Sequence, residues 1–243
     1  LGLPELSGPF VFTLAAQALA AIVYFVGLRP DPLLLAQQLA RDPSSASAQS
    51  LGPRFDNVVV ARTAIISIAL SHATMVAVMA MTPVHLVNHG ASLAIVGFTI
   101  SLHIAGMYAL APVFGILSDR IGRIPTILVG QVILLASLLV TGFGSENETA
   151  VVIGLVLLGL GWSAATVAGS TLLSESTIIE KRAARQGISD LVMSGSGAVG
   201  GALAGVVLAF LGYSGLSFVA LALVAGVVVR VVLTRQSSVE STV

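Results

Sequence analysis

The chain contains no cysteine. That excludes a disulfide framework and any thiolate metal site. Charge is scarce as well: 9% of the 243 residues are Asp, Glu, Lys or Arg, against about 25% in an ordinary soluble domain. Eleven basic residues balance eleven acidic ones, so no surplus of positive charge exists to hold a nucleic acid. The single lysine, Lys181, stands in a polar connector, which leaves no amine at membrane depth for a retinal Schiff base. No basic stretch precedes the first apolar run, so that run does not read as a signal peptide. The sequence also lacks a His-Glu-x-x-His pair, a Ser/His/Asp pattern within its apolar segments, and a phosphate-cradling glycine loop after a strand. An enzyme, a cofactor or a metal therefore has no support.

What is present is apolar. Hydrophobic residues make up 56% of the chain and the mean hydropathy is +1.01. A bilayer core takes about 20 apolar residues per helix, and seven segments qualify. They run roughly from Gly8 to Leu28, Val58 to Thr82, Ser92 to Leu117, Ile124 to Phe143, Ala150 to Leu173, Ile188 to Leu211 and Ser214 to Leu233. Backbone groups in lipid must be satisfied within the segment, so runs of this length are helices. The expected fold is an all-α integral membrane protein with seven transmembrane helices, multi-pass in the cell membrane, with the lipid bilayer as its solvent.

The basic residues set the direction. They fall at Arg29, Arg41, Arg54 and Arg62; Arg120 and Arg123; Lys181, Arg182 and Arg185; Arg230 and Arg235. The alternate connectors, 83–92, 142–149 and 211–215, contain no Lys or Arg. Basic side chains stay on the cytoplasmic face, so these four groups are expected inside and Leu1 outside, with Glu5 at the external mouth of the first helix and a cytoplasmic tail over 234–243. The connector 29–57 is different in kind. Leu33 to Leu39 reads as a short helix on the inner membrane surface, and the Pro/Ser/Ala/Gln-rich stretch from Asp42 to Pro53 as a flexible linker. One helix precedes it and six follow.

Between the third and fourth segments stands Gly115-Ile-Leu117-Ser-Asp119-Arg120-Ile-Gly122-Arg123-Ile-Pro-Thr-Ile127. This resembles the signature cytoplasmic loop of the major facilitator superfamily, G-x-L-a-D-r-x-G-r-k-x-x-l. Ile124 stands where that pattern has Lys. The family has twelve helices in two halves joined by a long cytoplasmic loop. The resemblance implies that residues 1–28 are the last helix of the N-terminal half, 29–57 the central linker, and 58–233 the C-terminal six-helix bundle, so that the first five helices are missing. It also implies that Asp119 meets a helix of the other half, and that Arg123 pairs with an acid at the cytoplasmic end of a helix in its own half. Glu175 is the expected partner, with Arg182 nearby. From the residues themselves, Gly115 and Gly122 would let the backbone turn tightly or approach a neighbour, and Arg120 and Arg123 could equally be charges that only set topology.

The sixth segment carries Gly197, Gly201 and Gly205 at four-residue spacing, a smooth face for close helix packing. Gly161, Ala165 and Gly169 form a similar track on the fifth. Ionisable groups at membrane depth are costly and mark function by default. His103 lies near the middle of the third segment. His72 lies in the second, on a stripe with Met75 and Met79. Either could handle substrate or protons, or be a neutral, hydrogen-bonded packing residue. Asp190 is expected in the first turn of the sixth segment as a cap. Trp162, Ser163 and Thr166 could line a cavity. His85 and His89 would need a regular helix to share a metal, and Asn88-His89-Gly90 reads as a turn, so no metal site is expected. Asn147-Glu148-Thr149 spells a glycosylation sequon, but ten Arg to one Lys suggests a GC-rich bacterial gene in which it arises by chance.

The resemblance implies a secondary active transporter working by alternating access, proton-coupled, that exports a drug, metabolite or other small solute as an antiporter. A non-transporting membrane fragment or accessory subunit is the alternative.

Overall fold

The computed structural model describes residues 8–31, 34, 35, 38 and 56–240. The chain divides into two compact units, Leu1–Gly52 and Pro53–Val243. The first holds α1 (Gly8–Gly27), twenty residues without a charge. Its chain continues to Asp31, whose Oδ1 accepts from the Leu34 N–H at 3.3 Å, and residues 34, 35 and 38 are helical. The rest of the expected surface helix, the flexible stretch 42–53, and the positions of Leu1, Glu5, Arg41 and Arg54 lie outside the described residues.

Every regular element among the described residues of the second unit is an α-helix. Its elements are α2 (Val58–Asn88), α3 (Leu93–Tyr108), α4 (Ala111–Ile121), α5 (Arg123–Phe143), α6 (Glu148–Glu175) and α7 (Ile179–Glu240). Capping side chains start three of them. Asn57 accepts from Val60 N–H at 3.1 Å, Ser92 from Ile95 N–H at 3.3 Å, and Asn147 from Ala150 N–H at 3.1 Å. Each satisfies an orphan donor that lipid could not.

Three positions depart from seven uninterrupted segments, each for a local reason. The third segment breaks after Tyr108 because Pro112 has no N–H and its ring crowds the carbonyl four residues back; α4 starts anew with Pro112 in its first turn. Gly122, at φ +96°, ends α4 and begins α5, a conformation that only glycine adopts freely. Gly212, at φ 67° and ψ −176°, interrupts α7. The apolar run 179–234 has 56 residues, roughly 84 Å if straight, nearly three bilayer cores. It folds back instead. Ser196 Oγ donates to the Ala69 carbonyl (2.9 Å), the Tyr213 hydroxyl meets Thr82 Oγ1 (2.8 Å), and Thr234 Oγ1 meets Thr63 Oγ1 (2.8 Å). The chain thus climbs along α2 from residue 69 to 82, turns, and descends to 63. With α3 and α4 as one crossing, the unit spans six times, and α1 adds a shorter apolar helix.

Two connectors expected as loops are helical. α2 runs through Pro83 to Asn88, so His85 lies on the helix and His89 caps it. α7 begins at Ile179, which places Lys181, Arg182 and Arg185 on helix. It also corrects Asp190: eleven residues inside α7, it caps nothing, and its carboxylate accepts from Gln186 Nε2 at 3.1 Å on an exposed face.

α6 packs on α2, α3, α5 and α7, and glycines set how closely. A Cβ at Gly161 would stand 2.8 Å from Leu134 N and 2.9 Å from the Gly130 carbonyl. A Cβ at Gly130 would stand 2.8 Å from Ala165 N and from the Gly161 carbonyl. Gly169 faces Ile68 of α2, and Gly106 faces the Val156 carbonyl. The expected Gly197/Gly201/Gly205 face holds only in part. Gly197 and Gly201 lie on α2 at His72 and Val76, Gly200 joins them at Ala73, and nothing lies within 4 Å of Gly205. Gly115 likewise meets nothing within 4 Å among the described residues. These positions predict opposite outcomes. Gly161→Ala should destabilise the chain by about 1–3 kcal/mol, because it must push backbone apart. Gly205→Ala should leave it unchanged or slightly stabilised through helix propensity. Thermal unfolding of both variants in detergent checks this, and equal melting temperatures would reject it.

Candidate functional site

The end of the bundle that holds the basic residues carries two charge clusters. The first is built on the short turn at Gly122. With α4 and α5 meeting there, Asp119 and Arg123 lie one helical turn apart in spacing, and Arg123 Nη1 donates to Asp119 Oδ1 at 2.6 Å. The same guanidinium reaches α6: Nε donates to Glu175 Oε2 at 3.0 Å and Nη2 to Glu175 Oε1 at 2.6 Å. This is the two-pronged geometry that a planar guanidinium makes with a carboxylate. Asp119 is 70% exposed, Glu175 51% and Arg123 20%, so one cation is held between two wet anions. Exposed pairs contribute about 0–1 kcal/mol, too little to hold the fold. Arg120 points out from the end of α4, Leu117 is half-buried, and Arg182 lies in the first turns of α7.

The second cluster was not anticipated. Asp56, just before α2, takes Arg185 Nη1 at 2.6 Å on Oδ1 and Nη2 at 2.8 Å on Oδ2, with Lys181 Nζ at 3.4 Å. Arg185 Nη1 also donates to Thr177 Oγ1 at 3.3 Å, and Asn57 N–H to the Ser176 carbonyl at 3.0 Å. Both partner side chains are largely covered, at 14% and 17% exposed. The Arg185 guanidinium beside Asp56 holds its carboxyl below the usual carboxylate range. The cluster ties the start of α2 to the α6–α7 connection. In the sequence Asp56 sat at the tail of a linker and Arg185 looked like a topology charge; no spacing rule joins residues 129 apart.

At membrane depth the structure separates the candidates. His103 is fully buried, and its Nδ1–H donates to the Leu155 carbonyl of α6 at 2.8 Å, a packed position between α3 and α6 rather than on an open face. Met75 is 3% exposed, in the core with Trp162. His72 is half-buried and accepts from Trp162 Nε1–H at 3.1 Å. Tyr108, 61% exposed, stands edge-on to Trp162 at 6.1 Å. Thr166, half-buried, lies one turn beyond Trp162, and Ser163 is buried. A buried amide contact also escaped the sequence: Gln131 Nε2 donates to Ser71 Oγ at 2.9 Å, joining the middle of α5 to α2.

The opposite end has a cleft of about 410 Å³ bounded by the end of α2, residues 145–146 and the Gly212 turn. His85 Nε2–H donates to the Ser145 carbonyl (2.8 Å). Its ring stacks on Tyr213 at 4.3 Å, and His89 lies 3.4 Å from Glu146.

The Asp56 cluster predicts a pH dependence with a definite sign. A carboxyl that ionises more readily folded than unfolded contributes fully above the unfolded value of about 3.9 and loses that contribution as pH falls through its lower folded value. Asp56→Asn should therefore mimic acid. Hydrogen exchange of the 176–181 amides should quicken severalfold in the variant, while Arg123→Ala leaves that segment protected. Unaltered exchange in Asp56→Asn would show that the cluster does not hold the connection.

Residues 63–242 match the family model described as Major Facilitator Superfamily. Among curated proteins, an uncharacterized MFS-type transporter of Bacillus subtilis (strain 168), YdeG, is 38% identical over 93% of this chain and 53% of its own length. A second from the same organism, YddS, is 36% identical over 89% of this chain and 51% of its own. The riboflavin transporter RfnT of Brucella anthropi is 25% identical over 83% of this chain and 50% of its own. The chain thus spans about half the length of the curated relatives it matches. With the signature loop folded around Arg123 and a matching profile over most of its length, the chain belongs to the Major Facilitator Superfamily.

Proposed function

We propose that this chain forms the C-terminal six-helix bundle, plus one preceding helix, of a secondary transporter. It would move a small solute across a bacterial plasma membrane by alternating access, with proton-coupled export of a drug or metabolite as its working mode. The observation that carries the reading is Arg123 shared between Asp119 and Glu175. A weak, wet ion cluster where helices meet suits a latch that must open and close each cycle. The family membership and the transporter names of the relatives support it. The solute and the helices of a transporter's first half are then the partners. The riboflavin carried by the Brucella relative adds planar heteroaromatic molecules to the candidate solutes, and the exposed ring of Tyr108 suits such rings. The half-length match favours the alternative of a fragment or accessory subunit that does not transport alone.

Orientation is part of the proposal. The basic end faces the cytoplasm and the His85 end the outside. Since the chain has no native cysteine, Asn88→Cys should react with an impermeant maleimide from outside and Arg120→Cys only after the inner face is exposed. The reverse pattern would overturn the topology.

Transport is tested by expressing the chain with a first half from a relative. Arg123→Ala should cut solute flux severalfold with insertion intact, and the swapped pair Arg123→Glu with Glu175→Arg should restore part of it. If Arg123→Ala transports like the parent, the latch is wrong.

A further inference from the structure

His72 and Trp162 meet through a bond whose chemistry fixes a protonation state. An indole N–H can only donate. His72 Nδ1, 3.1 Å away, must therefore offer a lone pair, and the proton of the neutral imidazole sits on Nε2. The ring has been given room. A Cβ at Gly197 of α7 would stand 2.8 Å from its Cδ2 and Nε2, so any larger residue there would displace it. His72 is half-buried, which leaves part of the ring open. The groups around it carry no charge. They are Trp162 from α6 with Tyr108 of α3 beyond it, Val76 on α2, and Gly197 from α7. Among the described residues no carboxylate, cation or second titratable side chain acts on it.

We infer that His72 Nδ1 is a proton-binding site and that Trp162 reports its occupancy. The inference deepens the transporter reading by naming the atom that takes the proton. A hydronium ion gives its proton to the Nδ1 lone pair and becomes water. Both ring nitrogens then carry N–H, and two donors face each other where the Trp162 bond had been. The bond breaks, and the indole and imidazolium separate. Loading one proton thus removes this side-chain bond between α2 and α6. The bond re-forms when the proton leaves. Histidine changes charge within about pH 5 to 8, the range in which such a device would work.

Trp162 is the only tryptophan in the chain, so its fluorescence reads the site directly. The purified 243-residue chain in nanodiscs should lose indole emission along a single-proton curve as pH falls from neutral, because the imidazolium quenches and the bond opens. His72→Gln should abolish that loss. Its amide oxygen can still accept from the indole, but it cannot titrate. Gly197→Ala should shift the curve without removing it, by pushing the ring from its seat. Emission that does not change with pH in the parent, or the same curve in His72→Gln, would overturn the site. The measurement needs no transport. A flat flux assay with an intact curve rejects the transporter reading alone, and active transport with a flat curve rejects this site alone.

Discussion

Helices in lipid gain nothing from hiding apolar side chains from one another, since hydrocarbon surrounds them anyway. Close backbone contact must supply the cohesion, through many small dispersion terms. In this chain that contact is made where side chains are absent. Gly130 and Gly161 bring α5 and α6 together backbone to backbone, Gly106 and Gly159 do the same for α3 and α6, and Gly197 and Gly200 seat α7 on α2. Hydroxyls add specificity across the same surfaces: Thr63 with Thr234, Thr141 with Ser217, Thr82 with Tyr213. Everything else, including the positions of the charged groups, depends on this spacing. A bundle about 1 Å wider would lose these bonds.

The charged residues follow a different rule. Paired carboxylates and guanidinia in the second unit collect at one end, where water can reach them, and each ties one element to another across many residues of sequence. Arg123 joins the α4–α5 turn to α6, and Arg185 joins the start of α2 to the α6–α7 connection. Their placement makes the end of the bundle sensitive to ionic conditions while its interior is not.

Much of this could be read from the sequence, and the reasons are specific. Apolar runs bounded by turn residues located the crossings, because span length is a property of the bilayer and not of the fold. The signature around Asp119 and Arg123 was legible because its two glycines, Leu117, Asp119 and two arginines stand in register with the family pattern. The Arg123–Glu175 contact entered only through resemblance. Helix ends were misjudged where a helix outlasts the membrane: α7 starts before Asp190 and α2 continues past Pro83, since neither boundary is set by hydropathy. Spacing by four grouped Gly205 with Gly197, yet which glycine meets a neighbour depends on helix rotation, and that is a tertiary quantity. The Asp56–Arg185 and Gln131–Ser71 contacts left no local pattern at all.

The fold-back at Gly212 has a mechanical consequence. Both arms of α7 lie along the same helix, α2. They are fastened to it at Ser196, at the tip by Tyr213, and at the base by Thr234 and Arg185. Three rods pinned at top, middle and bottom have no independent tilt. α2 and the two arms form a single truss, fastened along its whole length. A force on the Asp56 corner is thereby a force on the His85–Tyr213 cleft across the whole thickness of the bundle.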